Sequence, residues 1–196
     1  MTYTATLIST GLRLRESRII ADLLLQGVDE PAWKAAILDQ NILHMGSVAT
    51  TRRSARLIRT RLEPLGEGLW RMVRDGGRTQ ALQATLAGAI HNSRLLGDFM
   101  DITLREQRAL FAERLERPMW SEYIAGCRGR DPDMPYWSDA TVAKLRSVVF
   151  TMLAEAGYLK DTRSLLLQNV FVDNELAYYL RQRGERYILR CLEVME

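Results

Sequence analysis

Apolar residues recur at helical spacing along most of this chain, and few helix-breaking residues interrupt them. Between Ser138, a helix-starting residue, and Gly157, a helix-stopping one, lies an apolar stripe of Val142, Leu145, Val149, Met152, Leu153 and Ala156. A spacing of three or four residues places such side chains on one face of an α-helix. With only 13 glycines and 5 prolines among 196 residues, the pattern predicts a mainly α-helical fold.

Start and stop signals predict the other elements of secondary structure. Gly27 is a stop for the first helix, and Thr79 is a capping residue for a helix near the middle of the chain. We expect helices over residues 10–26, 31–38, 50–62, 80–96 and 99–115, a short helix at 69–75, and a last helix ending near 195. The stretch SLLLQNVFV, residues 164–172, is rich in Leu, Val and Phe and predicts a short β element.

The stretch GCRGRDPDMPYWSD, residues 126–139, predicts a domain boundary because glycine, proline and aspartate interrupt the helical pattern there. We therefore expect a helical domain over residues 1–126 and a smaller, winged-helix-like domain over residues 127–196, which contains the β element. In the first domain, the short helix before the one at 50–62 suggests a helix-turn-helix-like arrangement. Its connection is longer than the usual turn, so the match is not strict.

Arginines are concentrated in one helix of a chain whose charges otherwise nearly balance. Basic residues number 27 and acidic ones 24, and 24 of the basic residues are arginine. Residues 1–97 carry a net charge of +5, and residues 98–196 carry −2. Within ten residues the chain places five arginines, namely Arg52, Arg53, Arg56, Arg59 and Arg61. The planar guanidinium group suits phosphate oxygens, so this helix is the candidate nucleic-acid-binding element.

A helical wheel separates an arginine face from an apolar face. Arg52, Arg56 and Arg59 fall within about 60° of one another, and we expect Arg53 and Arg61 to assist from either side. The apolar stripe of the same helix consists of Ala55, Ile58 and Leu62. Like charges four residues apart repel by roughly 0.2–0.5 kcal/mol, and no acid lies three or four residues before them. We expect a group outside the helix to neutralise the arginines.

Three ligands remain open for this face, together with a purely structural explanation. The arginines could grip duplex DNA phosphates with weak sequence preference, bind RNA, or meet an acidic partner protein in an assembly. In the structural explanation they pair with acids of the same chain or stay solvated. A weaker second site for nucleic acid is expected in the C-terminal domain at Lys144, Arg146 and Arg163.

No sequence motif for catalysis, metal binding or a cofactor is found. The chain has no phosphate-binding loop, dinucleotide fingerprint, nucleophile elbow or zinc-protease motif. Asp98 and Asp101 could hold a metal ion on one helix face, but Arg94 and Arg105, each four residues away, predict ordinary ion pairs instead. We therefore expect a protein that is not an enzyme and that needs no metal or cofactor.

The cysteines and tryptophans fit a packed core better than a site. Cys127 and Cys191 lie far apart without a CxxC motif, which favours buried thiols. The tryptophans are also expected in the core rather than as base-stacking platforms, and they are Trp33, Trp70, Trp120 and Trp137. No apolar run approaches the ~20 residues that span a bilayer, so we expect a cytoplasmic protein with no membrane partner.

Four long strings of this sequence resemble the BrxA family of bacterial BREX phage-defence systems. They are LRLRESRIIADLLL, ATTRRSARLIRTRLE, SRLLGDFMDITLREQ and WSDATVAKLRSVVFTMLAEAGYLKDTRSL, so the resemblance covers nearly the whole chain. It implies a helical, two-lobed cytoplasmic protein without known catalysis, acting beside a methyltransferase, an ATPase and a phosphatase-like protein. Duplex DNA is the implied ligand, with RNA as an alternative. The resemblance assigns no functional residues.

Overall fold

The computed structural model describes residues 3–5, 7 and 11–195, most of which lie in helices. In chain order the helices are α1 (Leu14–Gln26), α2 (Glu30–Lys34), α3 (Val48–Leu62), α4 (Gly66–Asp75), α5 (Arg78–Asn92), α6 (Arg94–Asp98), α7 (Arg105–Ala109), α8 (Pro118–Arg130), α9 (Asp139–Glu155), α10 (Asn174–Gln182) and α11 (Arg186–Leu192). The predicted mainly helical fold is confirmed. Among the described residues, no helix is long and apolar enough to cross a membrane.

Short π-helical turns extend two of these helices. α2 continues as a π-helix over Ala35–Asp39, and the π-helix Phe99–Leu104 joins α6 to α7. The helix predicted over residues 99–115 is therefore part of a longer helical run, and it ends at Ala109. Two residues later Phe111 has a positive φ of 55°, a left-handed conformation that cannot continue a right-handed helix.

Local signals placed several helix ends correctly, although α8 was not predicted and α1 begins at Leu14 instead of residue 10. Gly27 adopts the left-handed conformation with φ 62° and ends α1, and Ser138 accepts a hydrogen bond from the backbone N–H of Thr141 at the start of α9. Thr79 is not a cap, because α5 begins one residue before it. The single helix predicted at the C-terminus is two helices, α10 and α11, separated at Gly184 with φ 74°.

The predicted β element is not found, and this part of the fold prediction is wrong. Within the described residues no strand forms, and the segment makes only two isolated antiparallel bridges, Arg114 with Leu166 and Leu159 with Leu167. A strand needs several consecutive extended residues, whereas Leu165 has a positive φ of 54°. Leu165, Val170 and Val172 are buried in the hydrophobic core without strand pairing, whereas Phe171 is 77% exposed.

Helix α5 lies at the centre of the fold. Every residue from Ala81 to Ile90 is buried, and α5 contacts α1, α3, α4, α6, α10 and α11. Gly88 allows α3 to approach closely, since a Cβ atom there would lie 2.7 Å from the backbone oxygen of Arg61. The buried side chains of all these helices form one hydrophobic cluster. α3 is thereby held on one side against the core.

A group of aromatic side chains packs the π-helix Phe99–Leu104 against α8 and α9. The Phe99 ring lies 5.1 Å from both Trp120 and Tyr123, in edge-to-face geometry, and 6.0 Å from Phe150. The expectation that tryptophans serve the core is confirmed for Trp120, which is fully buried. Trp33 and Trp137 are also buried, and Trp70 is half-buried.

The stretch chosen as a domain boundary is divided by the structure. Gly126–Arg130 completes α8, and residues 131–138 connect α8 to α9. Two helices of the proposed C-terminal unit, α10 and α11, contact α4 and α5 of the N-terminal unit. The division into residues 1–126 and 127–196 stays a prediction. If two domains exist with this boundary, the contacts of α10 and α11 with α4 and α5 form part of the interface between them.

Candidate nucleic-acid interface

The arginine-rich helix α3 has well-defined ends. Ser47 has an extended backbone, and its hydroxyl accepts a hydrogen bond from the backbone N–H of Thr50, which caps the helix at Val48. The helix runs to Leu62, and a 3₁₀ turn containing Pro64 follows it. Its end agrees with the sequence prediction, and its start comes two residues earlier. The cap and the following turn fix how the arginines are presented.

One side of α3 is buried, as the predicted apolar stripe requires. Ala55, Ile58 and Leu62 are at most 1% exposed, which confirms that stripe. Thr51 and Ser54 share the buried side. Packing of this side against α1 and α5 prevents the helix from rotating about its axis. The orientation of the remaining side chains is therefore set by the core.

Three of the five arginines lie on the opposite, exposed side. We call Arg52, Arg53 and Arg56 the arginine surface. Within the described part of the chain, no ion pair or hydrogen bond engages their guanidinium groups. Their charges are presented to solvent together, spread over about 100° of the helix circumference. None of the acids in the described part of the chain neutralises them.

Arg59 differs from the arginine surface because the chain supplies its partners. Its guanidinium group pairs with Glu30 on α2 and with Glu63 just after α3, both at 3.1 Å. Burial disfavours its charged form, but the hydrogen bonds to Glu63 and Glu30 outweigh this and raise the pKa of Arg59. The same group lies 4.5 Å above the ring of Trp33. The structural explanation therefore applies to Arg59.

Arg61 is buried, and the expectation that it assists from the exposed side is corrected. The residue is 1% exposed, and its Nη1 donates to the backbone oxygen of Gly11 at 3.3 Å. Its Nε and Nη2 atoms have no hydrogen-bond partner among the described residues. Burial, with the nearby charge of Arg13, lowers the pKa of Arg61 to about 10, whereas Glu155 opposes the shift. In this structure Arg61 cannot reach a phosphate.

The helical wheel, drawn for all residues of α3, predicts the burial of Arg61. At 100° per residue, Arg61 lies about 20° from Ser54 and about 60° from Ile58, on the buried side of the helix. A wheel drawn only for the apolar residues missed it, because arginine was assumed to face water. The contact between Trp33 and Arg59 was missed for another reason. It lies 26 residues before Arg59 in the sequence, so no local spacing connects the two.

The three residues of the weaker second site, Lys144, Arg146 and Arg163, do not lie on one helix face. Lys144 is exposed on α9 and Arg146 is half-buried, but two positions on a helix point about 160° apart. Arg163 is exposed in the turn after α9, where its backbone N–H donates to the Asp161 carboxylate at 2.8 Å. These three residues stay a prediction without a shared face.

Asp98 is the centre of a fully bonded charge cluster. It is 4% exposed and accepts hydrogen bonds from the hydroxyls of Tyr3 at 2.6 Å and Tyr187 at 2.7 Å, and from Arg94 at 3.0 Å. Burial favours the neutral form, but these three donors outweigh it and lower the pKa of Asp98. The predicted pairing with Arg94 is confirmed.

Asp101 extends this cluster on the next helical turn. Its carboxylate pairs with Arg105 at 3.1 Å, as predicted, and also with Arg190 of α11 at 2.8 Å. We call Asp98, Asp101 and their donors the acid cluster. Among the described residues, no group of three or more His, Cys, Asp or Glu side chains is placed to hold a metal ion. The acid cluster ties α6 and the π-helix to the C-terminal helix.

The two cysteines are buried, as predicted. Cys127 on α8 and Cys191 on α11 are both inaccessible to solvent. Burial raises the pKa of both thiols, to about 12 for Cys191. A thiol that stays protonated is a poor nucleophile and a poor metal ligand.

The whole chain is similar to proteins of one family. The family model named BrxA matches residues 1–184. BREX protein BrxA from Paramagnetospirillum magneticum (strain ATCC 700264 / AMB-1) is 45% identical over 192 residues, covering 98% of this chain and 96% of that protein. BREX protein BrxA from Escherichia coli O9:H4 (strain HS) is 32% identical, covering 95% and 88%.

A solved structure has the same fold. The crystal structure of an uncharacterized protein from Magnetospirillum magneticum superposes with a TM-score of 0.91 at 44% identity, covering 98% of each chain. The arrangement of α1 to α11 is therefore shared by a protein determined experimentally. Together with the match to the family model and to two relatives over nearly their full lengths, this shows that the chain belongs to the BrxA family.

Proposed function

We propose that this chain is the BrxA component of a BREX phage-defence system and that it binds duplex DNA through the arginine surface, without catalysis. The proposal depends on one observation: Arg52, Arg53 and Arg56 lie exposed together, and no acid within the described residues neutralises them. Repulsion between like charges on one helix is relieved when phosphates take the place of missing acids. The relatives named BREX protein BrxA support the assignment to the system.

The mounting of α3 supports a role as a docking element. Its buried side packs on α1 and α5, so the guanidinium groups project from a rigid helix. α2 with its π-helical turn precedes it, and residues 40–47 connect the two. We infer a helix-turn-helix-like unit with an extended connection, in which α3 lies against the nucleic acid. Contacts to phosphates position a protein without reading bases, so sequence preference is weak.

The absence of catalysis is part of the same proposal. The carboxylates that could serve phosphodiester chemistry, Asp98 and Asp101, already accept hydrogen bonds from tyrosines and arginines. A metal ion would have to displace those donors. In the defence system the protein would then act as a DNA-binding subunit beside the methyltransferase, ATPase and phosphatase-like protein that the family resemblance implies.

The salt dependence of duplex binding tests the proposal. Each neutralised phosphate contributes about 0.9 to the slope of the logarithm of the observed binding constant against the logarithm of the salt concentration, so replacing Arg52, Arg53 and Arg56 with glutamine should flatten the slope by roughly 3. Unrelated duplexes should lose affinity equally. A duplex RNA of the same sequence serves as the second ligand, and tighter binding of the RNA would contradict DNA as the ligand.

A matched control removes the same charge elsewhere. Arg108, Arg117 and Arg186 are exposed, and none forms an ion pair within the described residues. Their replacement by glutamine should change the slope by less than about 1. Equal losses in both triple variants would mean diffuse electrostatic attraction and would contradict the arginine surface as the site.

A further inference from the structure

A groove of about 410 Å³ lies between α2, with its π-helical turn, and α3. Its floor is apolar and comes from both helices. Trp33 and Ile37 on one side and Ala55 on the other are buried, and Leu38 is half-buried. Apolar surface that remains accessible in a groove gains free energy when another apolar group covers it. The floor is therefore suited to an apolar side chain.

The rim of the groove is positively charged. Lys34, Arg52 and Arg56 line it, are exposed, and take part in no ion pair within the described residues. Among the described residues that line the groove, Glu30 supplies the one carboxylate, and it is already paired with Arg59. Four cations and one acid give the groove a net charge of +3. The rim thus lacks about three negative charges.

We propose that this groove binds an acidic segment of a partner protein, which places one large apolar side chain on the floor and its carboxylates against the rim. The two features together select the ligand. An apolar peptide would leave Lys34, Arg52 and Arg56 without anions, and a purely acidic one would leave the accessible surface of Leu38 and the exposed edge of Trp33 uncovered.

Duplex DNA satisfies only half of this chemistry. Its phosphates can neutralise the rim, but its outer surface is polar and charged and its bases are stacked inside. It cannot insert an apolar group between Trp33 and Ala55. A protein segment can supply both an apolar anchor and flanking carboxylates, as in other grooves that recognise short peptides. The groove therefore adds a protein ligand to a helix that also faces nucleic acid.

Arg52 and Arg56 belong both to the rim and to the arginine surface, so the segment and the duplex exclude each other. This competition rests on the proposed function, whereas binding of the segment does not. The structure also separates the two ligands. Lys34 lines the groove but lies outside α3, and Arg53 belongs to the arginine surface but does not line the groove. Each ligand therefore has one cation of its own.

The test uses a labelled ten-residue peptide of Asp and Glu with a single central phenylalanine, and the same peptide with serine in its place. Fluorescence anisotropy should show that the phenylalanine peptide binds roughly tenfold more tightly, because only it covers the apolar floor. Equal affinities would mean that the floor is not read and would overturn the proposal. Replacing the half-buried Leu38 with serine should reduce the preference for phenylalanine without removing a core residue.

Two single substitutions separate peptide from duplex. Lys34→Gln should lower the affinity for the phenylalanine peptide about two- to fivefold and leave the salt slope of duplex DNA binding unchanged. Arg53→Gln should flatten that slope by about 1 and leave the affinity for the peptide unchanged. Unchanged peptide binding by Lys34→Gln would overturn the proposal.

Competition distinguishes failure of this inference from failure of the proposed function. Unlabelled duplex should displace the phenylalanine peptide. If the peptide binds the protein and duplex DNA does not, the proposed function is wrong and peptide binding in the groove is supported. If both bind and neither displaces the other, the inference that they share Arg52 and Arg56 is wrong.

Discussion

The arginine surface and the acid cluster balance their charges in opposite ways. In the acid cluster, Asp98 accepts bonds from three side chains on three segments of the chain, and Asp101 accepts bonds from two arginines. On the arginine surface, the described residues supply no acid for Arg52, Arg53 or Arg56. Charges bonded inside the protein stabilise its fold, and charges left without partners remain available to a ligand.

Arg59 and Arg61 show that this difference does not follow from residue type or helix. Both lie on α3 beside the arginine surface, yet Arg59 is taken by two glutamates and Arg61 by the core. A run of arginines is thus not one functional unit. Substitution of a bonded charge is therefore expected to change stability more than substitution of an available one.

Asp98→Ala should lower the free energy of unfolding by about 3–5 kcal/mol, because it leaves Arg94 and the hydroxyls of the buried Tyr3 and the half-buried Tyr187 without their acceptor. For a protein of this size the melting temperature should fall by roughly 10 °C. The control is Asp133→Ala, an exposed acid in the connection between α8 and α9, which should cost less than about 0.5 kcal/mol. Similar small losses in both variants, in thermal and urea melts, would show that the acid cluster does not stabilise the fold.

The Asp98→Asn variant should be destabilised by about 1–2 kcal/mol at pH 7, and the deficit should depend on pH. The folded protein lowers the pKa of Asp98, so its carboxylate contributes stability that is fully present above the unfolded pKa of about 3.9. That contribution is lost as pH falls through the lower, folded pKa. The difference between wild type and variant in urea melts should therefore shrink below about pH 4. A constant difference down to pH 2 would contradict the shift.

Arg61→Met should raise the free energy of unfolding by about 1 kcal/mol, because an apolar side chain of similar length replaces a buried cation with unbonded nitrogens. Its affinity for duplex DNA should stay within about twofold of wild type. The matched variant on the exposed side, Arg56→Met, should leave the free energy of unfolding unchanged and lower the affinity for duplex DNA. A clear destabilisation by Arg61→Met would mean that the buried guanidinium group makes a net favourable contribution.

The smallest expected effect is none. Addition of Mg²⁺ or Mn²⁺ should cause neither cleavage of supercoiled, linear or single-stranded DNA nor a shift of the melting temperature, since Asp98 and Asp101 are already bonded. Gel assays and thermal melts measure both. Cleavage that Asp101→Asn abolishes would turn the acid cluster into a catalytic site and remove the contrast with the arginine surface.

Features with short-range causes were predictable from the sequence. The helix stop at Gly27 and the cap at Ser138 depend on residues within one turn. The pairs of Asp98 with Arg94 and Asp101 with Arg105 follow from a spacing of four on a helix. The β element was predicted wrongly because apolar, β-branched composition reports burial as well as strand formation, and strand pairing depends on distant segments.

The spacing of residues along the chain was enough to indicate a helical fold, a core side of α3 made of Ala55, Ile58 and Leu62, and arginines over much of the rest of that helix. Which arginines stay available depends on how the other segments pack around α3. Glu30 and Trp33 reach Arg59 from α2, and Gly11 accepts the bond of Arg61 from the segment before α1. Periodicity orients a side chain about its own helix axis. Glu63, four residues after Arg59, is a partner that local spacing could have indicated. Glu30, Trp33 and Gly11 lie 26 to 50 residues away in the sequence, and only packing of the whole chain brings them to these arginines.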